Sequence, residues 1–244
     1  MSIYNKDDTQ LADTRITIID SIRGFSFIPM FIFHLYSTYD LTNNFTTSTT
    51  LKPTIQFLGL IRNVFIILAG ISLALSSQYK KGIKYYSSRL KRSVQIIIHA
   101  MFLTILTHFL FPGFGIKFGI LHFIGISTLL LSPIASNNIL LIILLLLVMF
   151  SKIPPINPIV DTITGASINY NMADWFPLKQ NLPLMIGGAI IGNVIYKNKS
   201  KFITKDKNVS VLEWMGKNSL DLYTGHVTLL IIIFYIAKHY FHLY

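Results

Sequence analysis

The chain contains no cysteine, which rules out disulfides, thiolate metal sites and a cysteine nucleophile together. Charge is scarce as well. Asp, Glu, Lys and Arg make up 13% of the 244 residues, where a soluble globular domain carries about 25%. Acidic residues are rarest, ten against 21 Lys and Arg, so the net charge is +11. Apolar residues fill the space: 52% of the chain is hydrophobic and the mean hydropathy is +0.56. This balance excludes an ordinary soluble domain and predicts an all-α, polytopic transmembrane helical bundle. The basic excess gathers in two short stretches between apolar runs, a pattern of membrane topology rather than of a nucleic-acid face. The expected partner is therefore a lipid bilayer, with no nucleic acid and no metal. No removable signal peptide is expected, because the first apolar run is long, opens with charges and lacks a small-residue cleavage site.

The apolar runs predict about seven spans, at residues 16–36, 55–77, 93–111, 118–134, 139–153, 181–196 and 218–237. A polar tail (1–14) precedes a single transmembrane domain (15–244). The segment YKKGIKYYSSRLKR (79–92) and the stretch 197–217 read as basic loops with six Lys or Arg each. With seven spans both fall on one side, which places the N-terminus in the cytoplasm. The fifth span is short against the roughly 20 residues a crossing needs. Trp175 and Phe176 read as interfacial anchors, and GGAIIG (Gly187 to Gly192) reads as a helix-packing stripe.

Ionisable residues inside spans are costly and should face inward. Asp20, Arg23 and His34 lie near one stripe of the first span, with about 21 Å along the axis from Asp20 to His34. They serve either as an interfacial ion pair and a core histidine, or as part of a site. By depth, Asp20, Arg23, Asp221 and His226 fall in cytoplasmic halves; His34, Arg62, His108 and His122 fall in external halves. His99 and His108 read as packing residues. Arg62 either snorkels to the external interface or acts within the bundle. Arg89 and Arg92, spaced i, i+3 at the start of the third span, put two guanidiniums on one face at the cytoplasmic mouth. That arrangement suits the phosphates of a nucleotide-like ligand.

Taken in order, IDSIRG…MFIFH, NVFIILAGISLALS, YYSSRLKRS, IKFGILHFIGIS, DWFPL and WMGKNSLDLYTGH form a recognisable series. It resembles the bacterial and archaeal membrane proteins grouped with the catalytic domain of heparan-alpha-glucosaminide N-acetyltransferase, over roughly residues 14–235. The first three stretches also resemble the wider class of integral-membrane acyltransferases that O-acetylate surface polysaccharides. The resemblance implies acetyl transfer from acetyl-CoA, as a substrate rather than a resident cofactor, to an amine or hydroxyl of a sugar or cell-surface glycan. It maps the first-span histidine onto His34, the first-span arginine onto Arg23, the Arg-x-x-Arg pair onto Arg89 and Arg92, the FGILH histidine onto His122 and the last-span histidine onto His226. The heparan enzyme's active histidine lies just after its first span. The Ser37 to Thr54 loop has none here, so the assignment to His34 comes from the wider class.

The expected mechanism has Arg23, Arg89 and Arg92 holding the CoA phosphates at the cytoplasmic mouth. Asp20 orients Arg23. His34 takes the proton of the attacking acceptor or forms an acetyl-imidazole, and Arg62 or His122 stabilises the oxyanion. His34 and His122 both stand as candidates for the catalytic histidine. Asp221 and His226 are further intramembrane polar residues. The expected location is the plasma membrane of a prokaryote, as a multi-pass protein that could pair as a homodimer. Other classes are a transporter or channel running through the His, Arg and Asp groups, and an inactive membrane subunit.

Overall fold

The computed structural model describes residues 16–42, 60–79, 82–111, 115–151, 174–198 and 210–240. These residues form eight helices and no strand. They are α1 (Thr17–Thr42), α2 (Ile61–Tyr79), α3 (Gly82–Leu110), α4 (Ile120–Leu131), α5 (Asn138–Phe150), α6 (Leu178–Lys197), α7 (Val211–Lys217) and α8 (Ser219–Tyr240). Four of them, α1, α2, α3 and α8, are long and apolar enough to cross a membrane. The predicted fourth and fifth spans are shorter than expected, with 12 residues in α4 and 13 in α5. Thirteen residues reach only about 20 Å, against about 30 Å of hydrocarbon. The expected start of the second span, residues 55–59, and the polar tail lie outside the described residues.

Residues 82–92 of the basic segment are helix rather than loop. Gly82, with φ 60°, turns the chain, and α3 runs unbroken from there. No glycine or proline follows within 83–92 to stop it, so Arg89 and Arg92 sit inside the helix rather than at its start. Likewise Val211–Lys217 is helical within the second basic stretch. Ser210 caps it, its Oγ accepting from the Glu213 amide at 3.1 Å.

The GGAIIG stripe packs helices, as read. A Cβ at Gly188 would run into the carbonyl of Ile67, and one at Gly192 would lie 2.7 Å from the carbonyl of Ile71. The reciprocal position, Gly70, sits against the carbonyl of Met185. Small residues thus let α2 and α6 touch backbone to backbone, which is how helices associate where no hydrophobic force separates lipid from side chain. A second close approach joins α1 and α7. Gly24 lies against the Leu212 carbonyl and Gly216 against the Asp20 carbonyl. The apolar core between these contacts includes Met30, Ile66, Leu73, Phe123, Met185 and Ile186.

Candidate active site

One cavity of about 580 Å³ opens at the end of the bundle where α1, α7 and α8 begin or end close together. Four cations line it: Arg23, Arg89, Arg92 and Lys217. Arg23 is fixed on three sides. Its Nη1 pairs with Asp20 Oδ1 at 2.8 Å and donates to the Gly216 carbonyl at 3.3 Å, and its Nη2 donates to Ser72 Oγ at 2.7 Å. Asp20 is only 3% exposed, so this pair is structural cement as well as charge. Arg89 is half-buried, with its guanidinium 6.0 Å from the Tyr85 ring. Its Nε is buried without a hydrogen-bond partner among the described residues. Such a buried donor without an acceptor is costly. Lys217 was not singled out in the sequence. The short helix α7 carries it into the cavity, anchored by Glu213 Oε1 at 2.5 Å. Its only sequence signal is a lysine next to the NSLDLYTGH motif.

Beyond the inner wall stand two histidines. His34 Nδ1 and His226 Nε2 are 2.8 Å apart, and His226 Nδ1 lies 2.7 Å from the Leu222 carbonyl. The sequence placed these residues in opposite halves of their spans; they meet at one level. From the Asp20–Gly216 contact, His34 lies 14 residues on and His226 ten, with the break between α7 and α8 inside the second interval. The hydrogen-bond chain fixes the tautomers. A carbonyl only accepts, so His226 Nδ1 carries the proton and its Nε2 offers a lone pair. His34 Nδ1 then donates to that lone pair, which leaves the His34 Nε2 lone pair for chemistry. Phe27, Tyr223 and Phe33 hold the two rings edge-on, at 4.9 Å from His226, 5.2 Å from His34 and 5.6 Å from His34 respectively. Tyr223 also lines the cavity, which makes it the link between the cationic wall and the histidine pair.

His122 is engaged differently. Its Nδ1 accepts from the Gly119 amide at 3.3 Å, and its Nε2 faces Thr104 Oγ1 at 3.4 Å. Both nitrogens are thereby used in holding the start of α4. Arg62 is not deep in an apolar run. It lies in the first turn of α2, exposed, with its guanidinium 5.0 Å from the Phe176 ring. Phe176 is buried rather than interfacial, and its amide donates to the Phe118 carbonyl at 2.9 Å. Asp221 does not face inward either. Its side chain is 75% exposed and pairs with His99 at 3.3 Å on the outer surface. His108 is exposed beside Phe109.

Sequence reasoning missed Asp174, whose signal was the carboxylate in DWFPL, passed over for the neighbouring aromatics. Gly119 stands at the N-cap of α4 and has no side chain to cap with. Asp174 reaches across and accepts from the Ile120 amide at 3.0 Å, and a Cβ at Gly119 would lie 2.6 Å from that carboxylate. Burial pushes the Asp174 carboxyl up to about 6, against the pull of that amide and of Arg62. The folded chain holds this proton more tightly than the unfolded chain does. Its contribution to stability is full below about pH 4 and is lost as pH rises through about 6. Purified protein is expected to lose thermal stability over that window, and D174N is expected to remove that part of the loss in parallel melts across pH 4 to 7.

These features define a helical membrane protein with a cationic cavity backed by a hydrogen-bonded histidine pair. The profile of the family described as heparan-alpha-glucosaminide N-acetyltransferase, catalytic, matches residues 15–228, and the chain belongs to that family. The match spans both the cavity and the histidine pair. Searches of curated proteins and of solved structures return no match.

Proposed function

We propose that this protein transfers an acetyl group from acetyl-CoA to an amine or hydroxyl of a sugar or cell-surface glycan, within the membrane acetyltransferase family to which it belongs. One observation carries the reading: a cavity lined by Arg23, Arg89, Arg92 and Lys217 is lined also by Tyr223, whose ring packs against the His34–His226 pair. Guanidiniums match phosphate oxygens bidentately, and three of them line this cavity. The wall beyond the cations is apolar, with Leu73, Ile96, Leu121 and Ile124, and suits a pantetheine arm.

In this reading the cations hold the phosphates, and His34 Nε2 takes the proton from the attacking acceptor. The seven helices other than α7 cross or enter the membrane with the cavity facing the cytoplasm, in the plasma membrane of a prokaryote. That orientation follows the lysine and arginine bias and gives the cavity access to cytoplasmic acetyl-CoA. Isothermal titration of the purified protein with acetyl-CoA tests the reading. The R89A/R92A double variant is expected to bind at least about tenfold more weakly, since a hydrogen bond to a charged group contributes about 1.5–3 kcal/mol. Solute uptake by proteoliposomes without any acetyl-CoA binding would instead favour a transporter.

A further inference from the structure

We propose that Tyr223 is a catalytic residue: its hydroxyl donates a hydrogen bond to the acetyl carbonyl oxygen of the donor as that oxygen gains charge. The inference rests on the acetyl-CoA reading above and assigns a part of the reaction which that reading leaves open. Acyl transfer from a thioester passes through an oxyanion, and a positioned donor at that oxygen is among the largest contributions a site can make.

The geometry selects Tyr223 by position. It is buried, yet it forms part of the cavity wall. Its ring stands edge-on to both histidines, 5.2 Å from His34 and 5.6 Å from His226 between centroids. Among the described residues lining the cavity, it is the one whose ring packs against His34, so it adjoins both the space for a thioester and the proposed base. The two donors expected from the sequence are placed less well. His122 spends Nδ1 on the Gly119 amide and Nε2 on Thr104. Arg62 is exposed over Phe176, in the first turn of α2. A phenol has an ordinary pKa near 10, so it is a neutral donor that costs far less to bury than a guanidinium.

The step balances as follows. The acceptor nitrogen or oxygen bonds to the acetyl carbon while its proton passes to His34 Nε2. The carbonyl electron pair moves onto oxygen, where the Tyr223 hydroxyl meets it. That pair then returns, the carbon–sulfur bond breaks with its electrons on sulfur, and the proton on His34 goes to the departing CoA sulfur. Nothing is oxidised or reduced.

The test compares wild type with Y223F, which keeps the ring packing and removes only the hydroxyl. Purified protein in detergent is given acetyl-CoA and glucosamine as the probe acceptor. CoA thiol release, acetyl-CoA affinity and the infrared carbonyl stretch of bound carbonyl-13C acetyl-CoA are read. Y223F is expected to bind acetyl-CoA within about twofold of wild type, to release thiol about 10²- to 10³-fold more slowly, and to show the bound carbonyl at higher frequency. Unchanged turnover overturns the proposal. Turnover that falls together with affinity, with no carbonyl shift, also overturns it and makes Tyr223 a packing residue. A wild-type protein that binds no acetyl-CoA overturns the acetyltransferase reading itself, and this inference with it.

Discussion

His34→Ala is expected to slow acetyl transfer by about 10²- to 10⁴-fold, the range for loss of a general base, while the protein still inserts and purifies as a folded species. The loss follows from the tautomer chain. Leu222 and His226 together fix where every proton on the pair resides, so His34 Nε2 holds the free lone pair. An alanine removes that lone pair and leaves His226 without its donor. If His34 instead carries the acetyl group, the same change removes the intermediate and the loss is at the upper end. His226→Ala is expected to cost less, because imidazole remains at position 34 and loses only its orienting partner. Acetyl-CoA-dependent thiol release reports both variants. Wild-type turnover in the His34 variant would remove it from the chemistry, and His122 would be next in line.

The second large effect is on folding. Gly216→Ala is expected to lower the yield of folded protein sharply and to reduce acetyl-CoA binding in whatever survives. A Cβ there would occupy the space of the Asp20 carbonyl oxygen, which is backbone and cannot swing aside. Relief requires α7 to withdraw from α1. That movement breaks the Arg23 bond to the Gly216 carbonyl and carries Lys217 out of the cavity wall. Overpacking usually costs 1–3 kcal/mol, and a clash against main chain belongs at the top of that range or above it. Gly187→Ala is the control, since a Cβ there meets nothing within 4 Å. Thermal melts followed by size-exclusion profiles of the two variants separate a local clash from a general intolerance of alanine.

How much of this was legible beforehand depends on the kind of signal. Apolar run length and scarce charge gave an all-helical bundle, because backbone groups in hydrocarbon must satisfy one another within a helix. The glycine spacing of GGAIIG read correctly, since small residues at that period have few other uses in a membrane. Helix boundaries read poorly in the basic segment. Charge there marks which side of the bilayer a residue favours, and lysine and arginine are themselves good helix formers. The cavity's arginines were legible as a pair, and their meeting with Lys217 was not, because that depends on the glycine contact between α7 and α1. Depth assignments from counting along each span failed for His34 and His226, since helices that start at different levels do not share a ruler. Asp174 was hidden for a similar reason: it caps a helix 54 positions earlier in the chain.

The histidine pair has one more consequence, which concerns where a proton can travel. Its hydrogen-bond chain runs from His34 through His226 and stops at the Leu222 carbonyl. A carbonyl bonded in this way has no proton to pass on, so the chain is a cul-de-sac rather than a wire. Among the described residues, a proton taken up at His34 can pass to His226 and no further along this chain. Proton movement at the pair is thus a return trip between two imidazoles, not a path from one side of the bundle to the other.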